Sequence, residues 1–161
     1  MRFLIKRNAE HFNDRYYLFV ILYYLLSCGT SVPHTEVGMV RAVRGATTVA
    51  RDDAEEITEV TQEMLAELVR LNELENDDLV DIIFTVTPDI TKMFPAKAAR
   101  MMGFSDVPLL DMAAPEIEGA LKMCIRVMVH FNTDKKNTEL KHVYLRGARV
   151  LRPDIVKGSH E

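Results

Sequence analysis

The stretch LKMCIRVMVHF, residues 121–131, decides how this chain folds. From Cys124 onward it is rich in apolar and β-branched residues, the composition of a buried or half-buried strand. Arg126 breaks the hydrophobic run without breaking the strand. Charged side chains are rarely buried unless they are paired. Arg126 therefore either points at solvent or is held for something anionic.

Elements can be read on both sides of this strand. Upstream, MVRAVRGATTV from Met39 reads as a short strand in which apolar and basic residues interleave, stopped by Gly45. Asp52 or Asp53 offers an N-cap, with Glu55 and Glu56 in the first turn, where the helix dipole favours acids. Ile57, Val60, Met64, Leu68 and Leu71 recur every three or four residues, one face of an amphipathic helix reaching about Glu73. DLVDIIFTVTPD is a second strand ended by Pro88, and PAKAARMMG a short helix with Pro95 in its first turn and Gly103 past its end. VPLLDM is a third strand, and AAPEIEGA a loop into the Arg126 strand. Downstream, NTDKKNTELK is a polar connection and HVYLRGARVL supplies one or two further strands. This order predicts an α/β (α+β) domain with a mixed sheet covered by helices.

The 161 residues suffice for one domain with a real core. A formal net charge of −4 argues against nucleic acid as a partner. Cys28 and Cys124 lie far apart and make neither metal spacing nor a disulfide framework, so a reducing, cytoplasmic setting is expected. The five histidines are scattered, and no metal or cofactor is expected. Residues 1–38 differ from the rest. Their apolar block YYLFVILYYLL (Tyr16 to Leu26) is too short for a spanning helix, which needs about 20 residues. It has a basic flank but no clean cleavage site. The division is thus 1–38 as an N-terminal extension and 39–161 as the domain, with no membrane partner for the domain. Met39 is the expected natural start; a targeting segment or a structured arm is the alternative.

The familiar glycine-rich, nucleophile-elbow and metalloprotease motifs are missing. The remaining signal is cationic: Arg41 and Arg44 near the first strand, Lys97 and Arg100 one helical turn apart, Arg126, and Arg152 before a proline. Basic residues at element ends and inside apolar strands of an acidic protein suggest a pocket for a small polyanion. Taken singly, Arg41 reads as paired on the surface, and Lys97 and Arg100 as solvated. Arg126 is the exception, because desolvating an unpaired arginine is costly.

The segments VRGATTV, TPDITKMFPAKAAR, VPLLDM, GALKMCIRVM and HVYLRGARVLRPD resemble, in order and spacing, the signatures of the monofunctional trimeric chorismate mutases. The resemblance runs from about Met39 to Asp154. It implies a pseudo α/β-barrel homotrimer with outer helices and clefts between subunits, catalysing the Claisen rearrangement of chorismate to prephenate. That pericyclic step needs no nucleophile, proton shuttle or metal. By resemblance, Arg126 is the catalytic arginine beside the ether oxygen and one carboxylate. Arg44 and Tyr144 bind the enolpyruvyl carboxylate. Phe94, Ala96 and Lys97 line the pocket, Arg100 lies at its mouth, and Leu151 and Arg152 belong to the closing segment. One region departs from the pattern: where relatives often carry a cysteine and a glutamate at the ring hydroxyl, this chain has Asp111 and Ala114. Asp111 is expected to accept the hydroxyl hydrogen bond, or else to cap a turn at its strand's end. A non-catalytic trimeric anion sensor and an imine-deaminase-like trimer are the competing readings.

Overall fold

The run that carries Arg126 lies at the centre of a mixed five-stranded sheet. The computed structural model describes residues 38–157, so the apolar block and Cys28 fall outside the described residues. In chain order the elements are β1 (Met39–Thr48), α1 (Ala54–Asn72), a 3-10 turn (Asn76–Asp78), β2 (Leu79–Val86), α2 (Pro95–Met101), β3 (Leu109–Ala113), β4 (Cys124–Thr133), β5 (Val143–Tyr144), a second 3-10 turn (Arg146–Leu151) and α3 (Pro153–Lys157). The strand order is β3-β2-β4-β1-β5. β4 runs antiparallel to both β1 and β2, while β2–β3 and β1–β5 are parallel.

Alternation along the strands gives the sheet two unlike faces. Ile125, Val127, Val129 and Phe131 of β4, with Val43 of β1 and Ile82 and Phe84 of β2, pack against Ile57, Val60, Met64 and Leu68 of α1 and Ala96 and Ala99 of α2. Burying each large side chain contributes about 1.5–3 kcal/mol. The register puts Arg44, Ala46, Thr85, Arg126, Met128 and His130 on the other face. No described helix is long and apolar enough to cross a membrane.

Gly45 does not stop β1, which runs through it to Thr48. A Cβ there would stand 2.8 Å from Val127 Cγ1 and 2.9 Å from Leu68 Cδ1, so the glycine lets α1 close on the sheet. Of the two candidate caps, Asp53 accepts from the N–H groups of Glu55 and Glu56. Asp52 instead accepts from the Thr91 and Lys92 N–H groups and the Thr91 hydroxyl, clipping the loop before α2 to the start of α1. The helix ends where expected, with Glu73 as a left-handed C-cap. Leu71 lies outside the buried stripe. Asn72 is buried instead, donating to Lys141 O and accepting from Lys141 N–H, which anchors the approach to β5.

HVYLRGARVL is mostly not strand: only Val143 and Tyr144 pair with β1, and the chain then turns into a 3-10 coil. Three contacts set that turn. Leu145 N–H donates to Ala46 O, Gly147 N–H donates to Thr48 Oγ1, and Arg146, at φ 48°, reaches Glu63 of α1 at 2.8 Å.

Candidate active site

A row of four residues crosses the helix-free face: Thr85 on β2, Arg126 on β4, Ala46 on β1 and Tyr144 on β5. Neighbouring strands lie about 4.8 Å apart, so Arg126 and Tyr144 straddle the small Ala46 at roughly 10 Å. Arg44 lies two residues along β1 from Ala46, on the same face and exposed. Arg126 is half-buried, and neither guanidinium forms an ion pair or hydrogen bond among the described residues. Burial pushes the Cys124 thiol up, against the opposing pull of the Arg126 charge two residues away.

Tyr144 is held by packing. Its ring clusters with Ala46 and Ala148, and Leu121, Leu151 and Ile155 cover them. Its hydroxyl is buried without a hydrogen bond of good geometry among the described residues. Arg152 is near enough to feel that hydroxyl, but its main partner is Asp154, which it holds at 2.7 Å and which chiefly raises its pKa. Buried hydroxyls nearly always find partners. Among the described residues, Arg152 is the charged group that acts on the Tyr144 hydroxyl.

The remaining predicted residues gather elsewhere. Phe94 is 70% exposed at the start of α2, Ala96 is buried in the core, and Lys97 and Arg100 are solvated on the outer side of that helix. Asp111 pairs with Phe84 in the register, which puts it on the helical face. There its Oδ1 accepts the Ala96 N–H at 3.1 Å, supplying the cap that Phe94 does not. Burial raises its pKa, opposed by that hydrogen bond and by the Arg100 charge. β3 lies three strand spacings from β1, roughly 14 Å, and the sheet separates the two groups. One copy of the chain brings together Arg44, Arg126, Tyr144, Leu151 and Arg152, but keeps them apart from Phe94, Ala96, Lys97, Arg100 and Asp111.

Arg41 is not the surface pair that the sequence suggests. It is half-buried, and its Nε has no hydrogen-bond partner among the described residues. The residue that sequence reasoning passed over is His142, whose Nδ1 accepts the Arg44 N–H at 3.1 Å. Its only sequence signal is its place two residues before Tyr144 in HVYL. A 510 Å³ cavity lies between the loop after β2 and the loop before β4, but none of the predicted site residues lines it. Asp89, Glu116 and Glu118 against a single Lys122 make its wall acidic, unsuited to an anion.

Two arginines without ion pairs among the described residues thus share one sheet face with a buried tyrosine hydroxyl, a chemistry suited to a small anion. Residues 40–155 match the family described as chorismate mutase type I, and the chain belongs to that family. It is 42% identical over 118 residues to "Chorismate mutase AroH" of Bacillus subtilis (strain 168), covering 73% of this chain and 93% of that one. The protein of the same name from Thermus thermophilus is 44% identical over 118 residues, covering 73% and 97%. A solved chorismate mutase from Clostridium thermocellum is similar at 51% identity and a TM-score of 0.67, over 68% of this chain and 98% of that one.

Proposed function

We propose that this protein catalyses the rearrangement of chorismate to prephenate, on the way to phenylalanine and tyrosine. The observation that carries the reading is Arg126, a half-buried cation with no partner among the described residues, in one row with the unsatisfied hydroxyl of Tyr144. The reaction breaks an ether C–O bond and forms a C–C bond within one molecule, so no proton or nucleophile is exchanged. The protein has two tasks: holding the compact reactive conformer and stabilising the charge that grows on the ether oxygen. Arg44 and Tyr144 hold the enolpyruvyl carboxylate. The planar fork of Arg126 serves a carboxylate and the ether oxygen together.

Since the sheet separates the two groups of site residues, the working site is assembled from two copies. The group around Phe94, Ala96, Lys97, Arg100 and Asp111 comes from one copy and the arginine face from the next, in a homotrimer closed as a pseudo-barrel. Support comes from the helix-free face, where Val40, Leu110, Met112 and Met128 leave apolar surface exposed. Asp111 takes the ring hydroxyl in place of the usual glutamate. Residues 39–161 are the catalytic domain and 1–38 an extension, in line with a family match that begins at residue 40. The buried free thiol of Cys124 accords with a reducing cytoplasm.

Following the loss of chorismate absorbance with purified protein tests the reaction, and light scattering tests the trimer. Full activity in a monomer would rule out the shared site. Chorismate that is bound without turnover would favour the sensor.

A further inference from the structure

The N–H and C=O groups of alternate strand residues face the same neighbour. Ala46 O accepts from the N–H of Leu145, the residue just past β5, so the Arg44 N–H also faces the β5 side. There the ladder has run out, because β5 pairs with β1 only at Gly45 and Ala46. The imidazole of His142 takes the missing ladder position, its Nδ1 accepting the Arg44 N–H at 3.1 Å. An Nδ1 that accepts must carry its lone pair, so the ring is neutral, with its proton on Nε2.

We propose that His142 is a positioning residue for Arg44, a neutral acceptor that fixes the strand edge from which the arginine reaches the substrate carboxylate. The inference rests on that reading of Arg44. The surroundings favour the neutral ring. Burial first, then the Arg152 charge and then the Arg44 charge, lower the pKa of His142 from the usual 6.5. Arg41, which lines a cavity with His142, is a third cation, and Arg152 itself holds the carboxylate of Asp154. Protonation would remove the acceptor and set a positive ring beside these arginines. Arg44 would lose its brace as the pH fell through the lowered pKa.

The experiment compares His142→Leu, which has no acceptor, with His142→Asn, whose Oδ1 can stand where Nδ1 stood and cannot titrate. KM and kcat for chorismate are measured from about pH 5 to pH 8, where histidine titrates. At neutral pH, His142→Leu should raise KM about three- to tenfold, the scale of one lost hydrogen bond, with kcat nearly unchanged. His142→Asn should recover most of that loss. The parent's kcat/KM should fall on the acid side with a midpoint below 6.5, and His142→Asn should lack that fall. In an Arg44→Ala background, His142→Leu should add nothing further.

An unchanged KM in His142→Leu, or an acid fall kept by His142→Asn, would overturn the inference. So would nitrogen NMR that found the neutral ring protonated on Nδ1, a result independent of activity. Arg44→Ala is run alongside. If it leaves KM at the parent value, the assignment of Arg44 to the carboxylate fails, and the inference fails with it. If it raises KM while His142→Leu does not, only the role of His142 is refuted.

Discussion

Replacing Arg126 should separate catalysis from stability. Its guanidinium has no ion pair or hydrogen bond among the described residues, so its removal strands no buried partner. The side chain is half-buried on β4 between Ala46 and Thr85, a setting where an unpaired charge stabilises nothing. Substitution by lysine or methionine should therefore shift folding stability by no more than about 0.5–1 kcal/mol. Catalysis should respond very differently. Losing one pre-organised donor aimed at developing charge costs about 10²–10³ in kcat, or about 2.7–4 kcal/mol. Arg126→Lys keeps the charge and loses the fork; Arg126→Met loses both and should cost more. The fall should lie mainly in kcat, because the ether oxygen gains charge only as its bond breaks. Initial rates of chorismate loss give kcat and KM, and thermal unfolding gives the stability. A lysine variant as active as its parent would refute the assignment of Arg126 as the catalytic cation. A large loss of stability would show instead that the arginine has a structural partner.

Arg44→Ala should raise KM far more than it lowers kcat, since a carboxylate is equally charged in ground and transition states; steady-state kinetics decide. Gly45→Ala should destabilise the fold by about 1–3 kcal/mol through overpacking, because its Cβ would meet Val127, Leu68 and Met64 within 3.1 Å; denaturant unfolding measures this. Asp111→Asn can keep the cap on Ala96 while removing a charge that burial disfavours. A raised folded-state pKa means that the charged carboxylate costs stability once the pH passes it. The Asn variant should thus gain on its parent in thermal stability as pH rises from about 4 to 7, and an advantage that shrank over that range would contradict the sign. A chain beginning at Met39 should form the same trimer and turn over chorismate as fast as the full chain. Failure of that shorter chain to fold would make residues 1–38 structural.

Most of the framework was legible because local chemistry specified it. The α1 stripe, the Asp53 cap, Pro95 at the head of α2 and the dense β4 run each act through neighbours in sequence. What escaped depends on distant partners. Gly45 reads as a strand stop until α1 is seen to lie against it. The strand expected through HVYLRGARVL ends at Tyr144, because Arg146 turns to meet Glu63 and Gly147 to meet Thr48. Arg41 looked like a surface cation, yet its Nε is covered. The candidate site divided in the same way: its residue types could be matched to a family pattern, but not which face of the sheet each would occupy. Asp111 shows this most clearly, since its register with Phe84 turns it toward α2.

That division bears on how an acidic chain can serve a dianion. The net charge is −4, and six carboxylates have basic side chains as partners: Glu56 with Arg51, Glu67 with Arg70, Glu73 with Lys135, Glu63 with Arg146, Asp81 with His130 and Asp154 with Arg152. Arg44 and Arg126 have no carboxylate partner among the described residues. In open water their fields are weak, about 1 kcal/mol for a pair of unit charges 4 Å apart, against about 4 kcal/mol at the effective dielectric of a protein surface. A single copy leaves the arginine face open to solvent, with Arg44 exposed and Arg126 only half-buried. A second copy laid over that face would contribute more than Phe94, Lys97 and Arg100. It would exclude water from around Arg126, strengthening the one interaction that grows as the ether bond breaks. For a reaction with no proton to move and no covalent step, that gain falls on kcat. Assembly and catalysis would then be the same act.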